Sequence, residues 1–163
     1  MKETAKLTTC LWMNNTAREA AEYYVALFPN SRILSNWVTP VETPGNAAET
    51  EVTVDFEIFG QSFTALNGGD YFKLNEAVSF VLPCEGQEDV DYYWNKMIAD
   101  GGEASQCGWL KDKFGVSWQI IPNEMGLYVG GSDLAGRARA TSAMLEMQKI
   151  DLAGLKAAYE GNA

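Results

Sequence analysis

Phe59-Gly60-Gln61-Ser62-Phe63 returns 55 residues later as Phe114-Gly115-Val116-Ser117-Trp118. In each copy a glycine breaks a run of strand-forming residues, as a tight hairpin requires. A second pair, Ala21-Glu22-Tyr23-Tyr24 and Val90-Asp91-Tyr92-Tyr93, recurs 69 residues apart and in the same order. The chain therefore reads as one module written twice. The two spacings differ by 14 residues, so the second copy is shorter between its helix and its last hairpin. The loop at 39–50, with Pro40, Pro44 and Gly45, accounts for most of that difference.

The elements follow from periodicity. Residues 8–13 predict a strand. Thr16-Ala17-Arg18-Glu19 has the spacing of a capping box, and Ala17, Ala20, Ala21, Tyr24, Leu27 and Phe28 share one helical face before Pro29 ends the helix. Residues 33–38 predict a second strand. Val52, Val54, Phe56 and Ile58 alternate with acids and Thr53 in a third, and 62–67 form a fourth. The second half repeats the plan: a strand at 78–82, a helix with Val90, Tyr93, Trp94, Met97 and Ile98 on its buried stripe, short strands near 103–106 and 108–111, and a last strand at 116–121. Each half reads β-α-β-β-β. The expected fold class is α+β: two tandem βαβββ modules (7–70 and 76–123) forming a curved mixed sheet around a cleft, helices outside, in a single domain of 1–163. A C-terminal helical extension at 133–160 follows a linker at 126–132. Its roles are an end-cap on the sheet or a dimer contact.

The 163 residues carry 22 acids and 12 bases, a net charge of −10. That balance argues against nucleic-acid partners, which need a basic footprint, and against anionic membranes. Beginning Met1-Lys2-Glu3-Thr4, the chain has no apolar run resembling a signal peptide or a membrane span, so a cytoplasmic location is expected. Cys10, Cys84 and Cys107 have no metal-type spacing, and with no histidine anywhere no imidazole can activate a thiol.

The stretches Cys10-Leu11-Trp12, Ala65-Leu66-Asn67-Gly68-Gly69, 106–119 (with Trp109-Leu110-Lys111-Asp112 and Gly115-Val116-Ser117-Trp118-Gln119) and Ala143-Met144-Leu145 carry a resemblance. The chain resembles the vicinal oxygen chelate superfamily of glyoxalases, bleomycin-resistance proteins and dioxygenases. Within it the chain is similar to the PhnB-like family, which also bears the label 3-demethylubiquinone-9 3-methyltransferase domain. The resemblance implies a ligand cleft between the modules, homodimerisation, and metal ligands on the first and last strand of each module.

At those positions the sequence offers Thr9, Thr64, Ala77 or Ser79, and Gln119. Hydroxyls and an amide are poor ligands for a catalytic divalent ion, so no metal and no cofactor are expected. The remaining ligand-binding candidates are Trp109, as a pocket wall or a packing residue, and Asn67, as a rim amide or a turn former. Strand alternation turns Phe63 and Trp118 toward the helices and Thr64, Ser117, Gln119 and Ile121 toward the cleft. The expected function is binding of a small organic molecule in the cleft without a catalytic metal, acidity favouring a cationic ligand. The rival expectation is an enzyme: a methyltransferase-type activity, or metal chemistry of the lyase or oxygenase kind using Gln119. No catalytic residue is assigned.

Overall fold

The computed structural model describes residues 6–162; the extreme N-terminal residues read above for a leader lie outside that range. Two compact units divide the chain after Leu74. In the first, β1 (Thr8–Met13) leads into α1 (Ala17–Leu27), followed by β2 (Arg32–Val38), β3 (Glu51–Ile58) and β4 (Gln61–Asn67). Its sheet runs β1-β4-β3-β2, with β1 parallel to β4 and the other neighbours antiparallel. In the second, β5 (Phe80–Cys84), α2 (Gly86–Ala99), β6 (Glu103–Ala104), β7 (Trp109–Lys111) and β8 (Ser117–Pro122) give the order β5-β8-β7-β6. The same positions in the plan are parallel and antiparallel. Each unit is thus a βαβββ module with its own four-stranded mixed sheet, and neither sheet closes into a barrel.

Each helix buries one stripe against one sheet face. Ala17, Ala20, Ala21, Tyr24 and Leu27 of α1 are buried, and Tyr24 stacks on Phe56, which stacks on Phe63. Val90, Tyr93, Trp94 and Met97 do the same for α2, against a sheet that buries Leu82, Trp118 and Ile120. Burying a large apolar side chain is worth about 1.5–3 kcal/mol, so each stripe fastens its helix to the sheet of its own module. The repeated aromatics Phe63 and Trp118 are 4% and 5% exposed, which makes them core rather than a ligand cage.

The start of α1 differs from expectation. Thr16 makes no side-chain cap; its φ of −120° and ψ of 16° lie outside the extended geometry that a cap needs. The Asn67 side chain does that work from β4, its Oδ1 accepting the Ala17 N–H at 2.9 Å. The helix ends as expected: Phe28, held extended by Pro29 at φ −102° and ψ 128°, is 1% exposed.

The stretch read as a linker contains a short helix, α3 (Met125–Val129), before α4 (Leu134–Leu145) and α5 (Leu152–Glu160). Asp133 and Asp151 cap α4 and α5 through their carboxylates. The tail packs on its own module. The Cys107 and Gly108 N–H groups donate to the carbonyls of Met147 and Gln148, and Gln87 of α2 bonds both Ile150 and Leu152. Ile150 and Leu155 are fully buried there. Among the described residues no helix is long and apolar enough to cross a membrane.

Candidate functional site

The sheet face opposite each helix presents most of the polar side chains, and register determines which of them share a row. In the first module three rows cross the sheet. Thr8, Ser62, Glu57 and Arg32 form one; Cys10, Thr64, Asp55 and Ser35 the next; Trp12, Leu66, Thr53 and Trp37 the third. The central row is tied together by Asp55. Thr64 Oγ1 donates to Asp55 Oδ1 at 2.6 Å, and Ser35 Oγ donates to Oδ2 at 2.8 Å.

This register corrects the opening-strand assignment. Thr9 pairs with Phe63 and lies on the helix-facing side with Leu11 and Met13, where Gln61 Nε2 donates to its hydroxyl at 3.5 Å. Cys10, one residue on, is the partner of Thr64. A one-residue shift inverts every side chain of a strand, and Thr9 and Cys10 differ by that one residue.

Asn67 is also corrected, from ligand amide to internal stitch. It is 9% exposed, accepts from Ala17 N, and donates through Nδ2 to the Glu51 carbonyl at 3.0 Å. Every polar atom of its side chain is engaged with the first module itself.

In the second module, register puts Val81, Gln119 and Trp109 in one row, with Ser117 and Lys111 in the row beside it. Gln119 Nε2 donates to Ser79 Oγ at 2.9 Å. Of the two opening-strand alternatives, Ser79 is the one in place; Ala77 sits in the preceding turn, its N–H on Asn75 Oδ1. Ser79, Trp109 and Gln119 are therefore brought together on one face. Next to them is a cavity of about 150 Å³ lined by Glu76, Glu103, Ser105, Trp109, Lys111 and Ser117. Lys111 Nζ pairs with Glu76 Oε1 at 2.5 Å across its rim. The Glu76 hydrogen bond raises the Lys111 pKa and lowers that of Glu76, so both stay charged. The sequence did not single out Glu76 or Glu103; only the pairing of β6 with β7 brings Glu103 opposite Lys111.

Asp112 builds the second hairpin. It is 4% exposed; its Oδ1 accepts from Phe114 N and Val116 N at 2.9 and 3.0 Å, and its Oδ2 accepts from Trp118 Nε1 at 2.9 Å. The carboxylate thus fixes both the turn and the core indole.

Residues 5–121 match the family described as 3-demethylubiquinone-9 3-methyltransferase. This chain belongs to that family, the PhnB-like branch of the vicinal oxygen chelate superfamily. Among solved structures it is similar to the PhnB protein of Bacillus cereus. The identity is 31% over 72% of this chain and 99% of that one, with a TM-score of 0.63. A Pseudomonas aeruginosa protein shares the fold at 17% identity, covering 73% of this chain and 98% of that one, TM-score 0.56. So does the fosfomycin resistance protein FosX of Listeria monocytogenes, complexed with Mn(II) and sulfate. There the identity is 15% over 72% and 90% of the two chains, TM-score 0.53. No curated protein matches the chain.

The superfamily's metal can be tested against the donors present. On the faces opposite the helices, the first and last strands offer Thr8, Cys10, Ser62 and Thr64 in one module, and Val81, Ser117 and Gln119 in the other, with Ser79 just before β5. Only Cys10 is a strong ligand type, and it binds metal as the thiolate. Desolvation, and then the negative charge of Asp55, push its thiol upward and hold the proton on. Among the described residues no three His, Cys, Asp or Glu side chains converge as a metal site. Hydroxyls and an amide do not fit a catalytic divalent ion.

Proposed function

We propose that this PhnB-like protein binds a small organic molecule on the sheet faces opposite its helices, without a catalytic divalent metal. The observation that carries this reading is the Ser79–Gln119 pair. A hydroxyl and an amide 2.9 Å apart, with the Trp109 indole in the same row, are the groups this chain offers at positions where the family resemblance implies metal ligands. Such groups orient a ligand through neutral hydrogen bonds and an apolar wall, the usual composition of a small-molecule site. They supply neither a Lewis acid nor a hydroxide. Homodimerisation, common in this superfamily, is part of the same reading.

Metal analysis of the purified chain, with thermal-shift titrations of Mn(II), Zn(II) and S-adenosylmethionine, tests it. Metal well below one equivalent and no shift with the divalent ions are expected. Stoichiometric metal that is lost on Gln119→Ala would overturn the proposal. The family description names a methyl transfer, so a saturable shift with S-adenosylmethionine would favour the enzymatic reading instead.

A further inference from the structure

We propose that the face of the first module opposite α1 binds a small organic cation, with the Asp55 carboxylate as counter-charge and Trp12, Phe72 and Trp37 as its aromatic surroundings. This rests on the small-molecule reading and adds a ligand class to it.

The carboxylate is positioned but not neutralised. Thr64 and Ser35 each give one hydrogen bond, one to either oxygen. A carboxylate has about four acceptor sites, so two hydroxyls orient it and leave both its charge and further lone pairs available. Its neighbours on β3 differ. Glu51 is paired with Arg18 and Glu57 with Arg32, whereas Asp55 enters no ion pair among the described residues. It stands at the centre of the sheet, opposite Thr64 on one side and Ser35 on the other.

Aromatic surface gathers one row away. Trp37, on the adjacent strand, lies one row from Asp55, about 7 Å along the strands; Trp12 lies in that same row but on β1, two strands from Asp55. Trp12 meets Phe72 edge-on at 4.8 Å, and Phe72 meets Tyr71 at the same distance. Phe72 and Tyr71, continuing from Trp12, are 56% and 82% exposed, and Trp37 is 49% exposed at the other edge of the sheet; exposed aromatic surface of this kind marks a binding surface. The loop behind them is fitted to the indole. A Cβ at Gly68 would lie 2.3 Å from the Trp12 ring, and Trp12 Nε1 donates to the Gly69 carbonyl at 2.9 Å. Aromatic faces beside one anionic group recognise an ammonium by cation–π attraction and charge together. A hard metal ion would need several oxygen ligands, and the other acids of β3 on this face, Glu51 and Glu57, are already held by Arg18 and Arg32.

The test uses the full chain and a matched pair of probes, benzyltrimethylammonium and its uncharged carbon isostere neopentylbenzene, titrated by tryptophan fluorescence and calorimetry. The cation should bind at least about tenfold tighter than the isostere. Asp55→Asn should lose most of that preference and leave the affinity for the isostere unchanged. Equal affinities in the unsubstituted chain, or an undiminished preference in a folded Asp55→Asn variant, would overturn the inference. If Asp55→Asn does not fold, the preference in the unsubstituted chain decides. Binding of the isostere alone overturns the cation and leaves metal-free binding standing. Binding of neither probe, with stoichiometric uptake of a divalent ion, removes both.

Discussion

The two modules have one strand order and opposite chemistry. Row for row, Cys10, Thr64 and Asp55 of the first module correspond to Val81, Gln119 and Trp109 of the second. An anionic centre on one sheet is an indole on the other. In the adjacent row the charges are exchanged: Glu57 with Arg32 at 3.5 Å in the first, Lys111 opposite Glu103 and paired with Glu76 in the second. The helix-facing residues are the reverse case, since Phe56 and Leu110, or Phe63 and Trp118, remain large and buried. Packing against a helix constrains size and apolarity, while the other face is free to change charge. The duplication has therefore kept a scaffold and let the side chains of the opposite faces diverge.

The hairpins show the difference at its largest. The first turns on two residues, Phe59 and Gly60, both at positive φ (49° and 82°), with Ile58 directly opposite Gln61. The second leaves five residues between Lys111 and Ser117 and fills that turn with the Asp112 carboxylate. Asp112→Ala removes three acceptor contacts and strands a buried indole N–H, so it should cost about 2–4 kcal/mol. Glu57→Ala, at the corresponding place in the sequence repeat, should stay within about 0.5 kcal/mol because its partner Arg32 is exposed. Urea unfolding of the two variants measures both. A Glu57 variant as damaged as the Asp112 one would break the comparison.

Asn67→Ala tests whether the first module has its own substitute for that carboxylate. It uncaps α1 and leaves the Glu51 carbonyl without its amide donor, so a loss of about 1–3 kcal/mol is expected. Hydrogen exchange should show the first turn of α1 opening more than any part of α2. Unchanged protection of α1 would mean that Thr16 takes over the cap.

How far these features were legible in the sequence follows from which interactions are local. The repeated Gly60 and Gly115 hairpins, the period-2 run from Val52 to Ile58 and the apolar stripes of both helices come from neighbours along the chain, and they convey the βαβββ plan. The side taken by Gln119 was also within reach, since alternation from Gly115 assigns β8 directly, whereas the choice between Ala77 and Ser79 needed the fold. Thr9 failed because the opening strand has no internal marker: Thr8, Thr9 and Cys10 are all compatible with either face, and only the pairing with β4 decides. Asn67 failed for a similar reason. An Asn before two glycines looks like turn chemistry, while its real partners lie 50 and 16 residues away. In the sequence Asp55 is one of three acids alternating with the apolar residues of β3. The two hydroxyls that distinguish it come from other strands.

Smaller effects bear on the two faces through their cysteines. Cys84 is fully buried on the helix side of β5, and desolvation, with Asp89 nearby, pushes its pKa up to about 12. Cys10 is exposed on the opposite type of face, its pKa raised first by partial desolvation and then by Asp55. Alkylation requires the thiolate, so native protein should react with iodoacetamide at Cys10 before Cys84, and Cys84 should react only on unfolding. A raised pKa keeps Cys10 protonated and slow at neutral pH, with the rate climbing as pH rises past the ordinary thiol range. Asp55→Asn removes the negative neighbour, lowers that pKa and shifts the climb to lower pH, giving a modestly faster reaction at pH 8. Peptide mapping after timed labelling reads each site separately. If Cys10 reacts at the same rate with and without the Asp55 charge, the field of that carboxylate does not reach across its row, and the contrast between an anionic face and an indole face narrows to one of shape.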